Sequence, residues 1–166
     1  MKAHQSPHEI LAERARVLAM PRATGEEPWS ADMLDILTFV VGGERLALPM
    51  SAVSAIIRAP VVTPLPHAVA PVYGVTVSRG RALTVLSLGA STLADGAERR
   101  LIVIGDGGRV TLGLLVDAVD ETRTVARSAL SPAAAGPRGA LALGITADAV
   151  LVLDTDVLLM TARSES

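Results

Sequence analysis

The chain contains no cysteine, almost no aromatic residues and a single lysine. Without cysteine, its 166 residues hold no disulfide, no thiolate nucleophile and no cysteine-based zinc site. The three aromatic residues, Trp29, Phe39 and Tyr73, are too few for the stacking platforms that bind single-stranded nucleic acid. Because Lys2 is the only lysine, a buried catalytic lysine is excluded as well.

Neither a basic charge excess nor a long apolar run is present in the sequence. The formal net charge is −2, so no basic field attracts the phosphates of a nucleic acid. No stretch reaches the roughly 18 apolar residues of a membrane span. At the N-terminus, Glu9, Glu13, Arg14 and Arg16 interrupt any apolar run. We therefore expect no signal peptide, no insertion into a membrane, no nucleic-acid partner and a cytoplasmic location.

Half of the residues are hydrophobic, and nearly all of these are aliphatic. A chain of this length is expected to form one domain, or two closely joined halves, around an aliphatic core. Ser6 and Glu9 form a capping-box pattern that predicts a helix over residues 6–20, followed by an acidic linker containing Pro and Gly. The expected organisation is helix and linker over 1–32, a folded domain over 33–162 and a tail over 163–166.

Short apolar runs separated by turn residues predict β-strands over most of the folded domain. Gly42 and Gly43 lie between two such runs, which is the signal of a tight hairpin. Residues 110–116 are nearly all apolar, as in a strand that is buried on both faces. Asp154 or Thr155 is a candidate N-cap for a short closing helix. The predicted strands are 36–41, 44–48, 53–58, 61–65, 72–77, 83–88, 101–104, 110–116, 117–125, 141–146 and 150–153.

An approximate internal repeat runs through the predicted strands. Residues 39–48 resemble 102–112, since each is a strand, a glycine turn and a strand. Further along, the sequence from Gly74 to Ser87 resembles that from Gly144 to Asp154. The repeat predicts two small β units of about five short strands each, which suits small barrels around one continuous core.

Few residues have a pattern typical of catalysis or of metal binding. His4 and His8 would share one helix face, but two ligands without a third do not make a usual metal site, and His67 stands alone. The glycines of 105–108 precede a strand rather than a helix, so a turn is favoured over a phosphate-binding loop. We expect neither a metal nor a cofactor.

Three acidic residues follow the long apolar strand and leave one enzymatic alternative open. Asp117, Asp120 and Glu121 would serve acid–base catalysis if two of them converged in a cleft. Structural roles at strand ends account for them without chemistry, and we favour that interpretation.

The turn Ser78-Arg79-Gly80-Arg81 is a candidate partner contact. An arginine that projects from a rigid turn can form forked hydrogen bonds with a partner carboxylate. Gly80 beside it would let a partner backbone approach closely.

The order of these motifs resembles the CheW-like domain of bacterial chemotaxis signalling, over residues 35 to about 160. Residues 37–49 look like the opening hairpin of that family. Gly74-Val75 with Arg79-Gly80 is similar to its signature Gly-Val-x-Asn-Leu-Arg-Gly. Gly113 to Val119 resembles a second signature, and 144–154 resembles the closing hairpin.

The resemblance implies an all-β fold of two five-stranded SH3-like β-barrel subdomains on a shared core, with an N-terminal helix and a short C-terminal helix. It implies a non-enzymatic adaptor that couples the cytoplasmic tips of chemoreceptors to the histidine kinase CheA. The implied partners are the CheW-like regulatory domain of CheA and the cytoplasmic helices of methyl-accepting chemoreceptors. The receptor helices are implied to dock in the groove between the barrels.

Partner-binding residues follow from the same resemblance. Gly74, Arg79 and Gly80 belong to the region implied in receptor and kinase contact. Val53 and Ile56 would line the receptor groove, with Arg58 on the same strand. Gly113, Val116 and Val119 would belong to the second barrel, partly in its core and partly near the kinase-facing surface.

The sequence departs from the family pattern at several positions of these motifs. The usual Asn-Leu before Arg-Gly is Val77-Ser78, and the usual acidic residues are replaced by Ala55 and Ser87. Losing these acids removes candidate salt bridges to partner arginines. The departures leave a second hypothesis open, namely a divergent CheW-like scaffold or regulator of another two-component pathway.

Overall fold

A computed structural model describes residues 32–89, 98–106 and 109–164. The predicted helix 6–20 and its histidines lie outside the described residues. No helix within the described ranges is long and apolar enough to cross a membrane. The strands are β1 (Met33–Val41), β2 (Glu44–Pro49), β3 (Val53–Arg58), β4 (Thr63–Pro64), β5 (Val72–Ser78), β6 (Arg81–Ser87), β7 (Arg100–Asp106), β8 (Arg109–Val116), β9 (Ala118–Ala126), β10 (Ala142–Ile145) and β11 (Leu151–Leu153), and the helix is α1 (Thr155–Ser164).

The strands form two sheets, as the repeat predicts, and the chain is mainly β. The first sheet has five strands in the order β10-β11-β2-β1-β9, and the second has six in the order β3-β7-β8-β6-β5-β4. The sixth strand, β4, is only two residues long, where the sequence predicts a strand over 61–65. Pro60, Pro64 and Pro66 account for the difference, because proline has no N–H to donate to a sheet.

The two sheets exchange strands reciprocally. Hairpin β1–β2 lies in the first sheet, but β3, which follows it, pairs with β7 in the second. Hairpin β7–β8 lies in the second sheet, and β9, which follows it, pairs with β1 in the first. The two halves of the repeat are also equivalent in their parallel pairs. Strand β6 of the first half pairs with β8, and β11 of the second half pairs with β2. Each sheet is therefore completed by strands from the other half of the repeat.

The apolar side chains form one shared cluster and two smaller ones. The shared cluster joins Phe39 and Leu48 of the first sheet to Ile102 and Leu114 of the second and to Leu158 of α1. The remaining buried faces form one cluster in each sheet: Leu34, Ile36, Ala47, Val150 and Val152 in the first, and Leu83, Val85, Leu101, Val103 and Leu115 in the second. The predicted continuous core is thus confirmed, and β8 is buried on both faces because it contributes to two clusters.

Local sequence signals determine the turn of the first hairpin and the start of helix α1. Gly42 and Gly43 have φ angles of 59° and 80°, the left-handed pair that a two-residue hairpin requires. At α1, the Asp154 carboxylate accepts hydrogen bonds from the N–H groups of Asp156 at 3.0 Å and Val157 at 3.4 Å. Asp154 is therefore the N-cap, one of the two residues that the sequence offers for that position.

An ion pair ties β9 to the turn between β10 and β11. Arg123 donates two hydrogen bonds to Asp148, at 2.7 and 2.9 Å. Thr146 Oγ1 donates a third, at 2.6 Å, and accepts one from the N–H of Val150 at 3.0 Å. The hydrogen bond from Arg123, followed by that from Thr146, holds the pKa of Asp148 well below its usual range.

We expect the substitution Asp148→Asn to remove a pH-dependent part of the stability. Because folding lowers the pKa of Asp148, its contribution is complete above the unfolded pKa of about 3.9 and is lost as the pH falls further. The Tm of the natural chain should exceed that of the variant at neutral pH. The difference should shrink as the pH falls below about 4. Thermal melts across that range measure it, and a difference independent of pH would contradict the prediction.

Candidate partner-binding site

The turn between β5 and β6 presents an arginine on a strained backbone. Ser78 pairs with Arg81, so Arg79 and Gly80 alone form the turn. Their φ angles are 49° and 75°, both in the left-handed region. A glycine tolerates this conformation, whereas a residue with a Cβ pays about 1–2 kcal/mol for it. Arg79 is exposed at the tip, so its own side chain gains no core packing in return.

This turn faces β3 across a cavity of about 250 Å³. The apolar part of its lining is Ala55, Ile57 and Val103, which belong to or pack against the apolar cluster of the second sheet. The polar part consists of two serines and two arginines: Ser54, Ser78, Arg79 and Arg81. We call this cavity the arginine pocket.

Neither arginine of the arginine pocket has a partner among the residues that the structure describes. The ion pairs formed within the described part of the chain involve four other arginines: Arg45, Arg58, Arg123 and Arg138. None of the described residues that line the pocket carries a carboxylate, and Ala55 brings only a methyl group to it. The pocket therefore carries two positive charges over an apolar floor.

Strand β3 provides the exposed surface next to the arginine pocket. It is the terminal strand of the second sheet, and Ser54, Ile56 and Arg58 point outward. Ile56 is 43% exposed, while Val53 is half-buried against the shared cluster. Arg58 forms an ion pair with Glu98 at 3.1 Å in which both side chains are largely exposed. Val53, Ile56 and Arg58 therefore all lie on the strand that faces the β5–β6 turn.

The other residues implied by the resemblance are buried or half-buried. A Cβ on Gly74 would lie 2.2 Å from the carbonyl oxygen of Thr63, so this glycine permits the close approach of β4 to β5. A Cβ on Gly113 would lie 2.9 Å from the side chain of Leu101. Val116 is buried in the shared cluster, and Val119 packs against it from β9. These four positions shape the domain from within, away from the exposed turn.

A larger cavity of about 510 Å³ lies where the ends of β5 and β6 meet the loop before β10. Arg138 of that loop donates a hydrogen bond to the carbonyl of Leu88 at 2.6 Å and forms an ion pair with Glu44. Ser87, one of the departures from the family pattern, donates a hydrogen bond to the carbonyl of Gly89 at 3.1 Å. Val53 and Ile56 do not line this cavity.

The three carboxylates of the enzymatic alternative have separate structural surroundings. Asp117 is buried and accepts a hydrogen bond from the N–H of Gly42 at 2.9 Å, which supports the first hairpin. Asp120 forms an ion pair with Arg45 at 3.4 Å. Glu121 is the next residue along β9, so its side chain points to the opposite face. Within the described ranges, no group of three or more acidic or histidine side chains is arranged to hold a metal ion.

Ser54 is a polar residue of the pocket lining that the sequence does not single out, whereas Ala55 stands out only as a departure from the family pattern and Arg81 only as part of the turn. Arg81 belongs to the turn that the sequence singles out, and the spacing Arg-Gly-Arg is a signal that both arginines flank one site. The sequence around Ser54 and Ala55 does not predict that they lie opposite the turn, because only the exchange of β3 into the second sheet brings them there.

Comparison with known proteins agrees with this fold. A family model described as "CheW-like domain" matches residues 35–163. A chemotaxis protein CheW from Rhizobium meliloti (strain 1021) is 33% identical over 101 residues, which cover 59% of this chain. A probable chemotaxis protein CheW from Rhizobium etli is 30% identical over a region of the same length. The matched region spans 65% of the length of each of these two relatives.

Two further matches cover more of the chain. Protein FrzA from Myxococcus xanthus is 30% identical over 143 residues, which cover 80% of this chain and 89% of FrzA. The crystal structure of the scaffolding protein TtCheW from Thermoanaerobacter tengcongensis superposes with a TM-score of 0.59 at 22% identity. The superposition covers 73% of this chain and 88% of TtCheW, and it shows a common fold. The family match extends over both sheets and α1, and the chain therefore belongs to the CheW-like domain family.

Proposed function

We propose that the chain is a non-enzymatic adaptor that couples the cytoplasmic tips of chemoreceptors to the histidine kinase CheA. The observation that carries this proposal is the family match over residues 35–163, which includes both sheets and the exposed Arg79-Gly80 turn. The proposed location is the cytoplasm, with recruitment to receptor arrays at the membrane. The separate structural surroundings of Asp117, Asp120 and Glu121 favour this proposal over an enzyme.

The proposed contact surface is the exposed part of the second sheet. Arg79 and Gly80 at the turn, with Ile56 and Arg58 on β3, would contact the kinase domain or the receptor helices directly. Val53 would support this surface from beneath. The buried or half-buried positions Gly74, Gly113, Val116 and Val119 would act by holding the two sheets in shape.

The composition of this surface favours contacts of low affinity that are repeated many times in an array. Binding hot spots are enriched in Trp, Tyr and Arg, and this chain has one Trp and one Tyr. Exposed aliphatic residues such as Ile56 and Val77, with arginines as anchors, would therefore carry the binding. In an ordered array, many such contacts give avidity without high affinity for any single partner.

Capture of purified partners tests the proposal. The full chain, immobilised, should retain the CheW-like regulatory domain of CheA and a chemoreceptor cytoplasmic fragment from the same cell. Ile56→Gln should weaken retention about fivefold, because it removes part of an aliphatic contact worth roughly 1 kcal/mol. Met160→Gln is the matched control, since Met160 is 66% exposed on α1, outside the proposed surface. Failure of the natural chain to retain either partner would overturn the proposal.

A second candidate function is regulation in a different two-component pathway. The match to FrzA covers 89% of that protein, whereas the matches to the two CheW relatives cover 65% of theirs. Ala55 and Ser87 add to this argument, because they replace acidic residues of the family pattern. Cross-linking in the native cell followed by affinity purification separates the candidates. Recovery of chemoreceptors with CheA supports the first, and recovery of another kinase without chemoreceptors supports the second.

A further inference from the structure

We propose that the arginine pocket receives a carboxylate side chain of a protein partner, gripped between Arg79 and Arg81. The proposal rests on the proposed function only in taking the partner to be a protein. It adds the pocket in which a partner carboxylate would bind and a second arginine that the family signature does not contain.

The size of the pocket favours a single side chain. Its volume of about 250 Å³ is below the range of roughly 300–1,000 Å³ that small-molecule sites occupy. Its walls come from the middle of β3 and from both ends of the β5–β6 turn. A glutamate that enters between them would place its methylene groups on Ile57 and Val103 and its carboxylate between the guanidinium groups.

The charges of the pocket favour an acid over any other side chain. Arg79 and Arg81 carry like charges, and none of the described residues that line the pocket carries a carboxylate to compensate them. Two guanidinium groups offer forked donors for a carboxylate, and the hydroxyl of Ser78 offers a further one. The apolar floor strengthens such hydrogen bonds, because electrostatic interactions grow as the local dielectric falls.

The backbone gives an independent reason to assign function to this turn. Arg79 has a φ of 49°, where asparagine or glycine would cost less. Strained residues of this kind concentrate at binding and active sites. Ala55 supplies a further reason, because it brings no carboxylate of its own that would pair with the arginines in place of a partner.

A small acid tests the pocket without a partner protein. The probe is N-acetyl-glutamate N-methylamide, titrated at millimolar concentration into the 15N-labelled full chain and followed by NMR. We expect shifts confined to amides of residues 54–57, 78–81 and 103, and weakening with added salt. The neutral glutamine analogue is the control ligand and should bind at least tenfold more weakly.

Two variants assign the binding to the pocket residues. Ala55→Glu places an internal carboxylate under the arginines and should abolish the shifts, whereas Ala55→Gln should weaken binding less. Arg81 lies on the exposed rim of the pocket, so Arg81→Glu removes one of the two guanidinium groups without disturbing the apolar floor. This variant should bind the acid at least tenfold more weakly. Arg163→Glu, at the end of α1, is the control and should leave the titration unchanged.

The outcomes separate this proposal from the proposed function. Equal shifts with the acid and the neutral analogue, or full binding by Arg81→Glu, would overturn the carboxylate pocket even if the chain captures CheA. Specific binding of the acid with no capture of CheA or receptor would leave the pocket standing and overturn the adaptor assignment. If Ala55→Glu does not fold by circular dichroism, Arg81→Glu decides the result.

Discussion

Gly74→Ala is expected to destabilise the domain by about 3 kcal/mol, at the upper end of the cost of overpacking. The added Cβ would lie 2.2 Å from the carbonyl oxygen of Thr63 and 3.0 Å from the Cα of Pro64. These are backbone atoms, so no side chain can rotate away to relieve the clash. Relief requires β4 to separate from β5, which breaks the pairing of Thr63 with Val75 and of Pro64 with Gly74.

Thermal and urea melts measure the effect, and a fall in Tm of about 6–12 °C is expected for a domain of this size. Gly80→Ala is the matched control in the same hairpin. A Cβ there meets open space, so only the left-handed φ of 75° counts against it, and the cost should be about 1 kcal/mol. Equal effects of the two substitutions would show that the approach of β4 to β5 does not constrain Gly74.

The two glycines of the family signature are expected to affect partner binding in different ways. Both belong to the segment that resembles the CheW-like signature, yet Gly74 is buried between strands and Gly80 is exposed at a tip. A variant of Gly74 that loses partner binding should therefore lose it through unfolding. A variant of Gly80 changes the turn itself.

The local structure of this domain could be predicted from the sequence to a large extent. The glycine pair at 42–43, the turn at 78–81 and the N-cap Asp154 are signals of short range, and each forms the predicted element. The repeat of residues 39–48 in 102–112 also predicts two equivalent hairpins. Such signals succeed because the residues that determine the conformation are the ones that adopt it.

The assembly of the site could not be predicted in the same way. The arginine pocket needs β3 opposite the β5–β6 turn, and β3 reaches that place only by leaving the sheet of its own hairpin. No turn residue or apolar period in residues 53–58 encodes this exchange, which is decided by burial of both sheets against one core. The burial of Gly74 against Thr63 is missed for the same reason, since β4 has almost no strand pattern of its own.

Arg79→Asn is expected to stabilise the domain and to weaken partner binding at the same time. Asparagine tolerates the left-handed φ of 49°, and Asn-Gly is the preferred pair for a two-residue hairpin. The change also removes one of the two like charges that line the arginine pocket. We expect a gain of about 1 kcal/mol, or about 2–4 °C in Tm. Loss of the guanidinium should lower affinity for the partner at least tenfold, about 1.4 kcal/mol.

Thermal melts and titration with the CheA regulatory domain measure the two effects on the same protein. Ala149→Asn is the matched control, because Ala149 has a φ of 65° in the equivalent hairpin of the first sheet, outside the proposed surface. It should gain stability by the same relief of strain and keep its affinity for the partner. The pair separates backbone relief from loss of the arginine. If both variants are stabilised and both bind fully, the strained arginine is not a binding residue. If Arg79→Asn is destabilised instead, the side chain supports the fold through contacts that outweigh its strain.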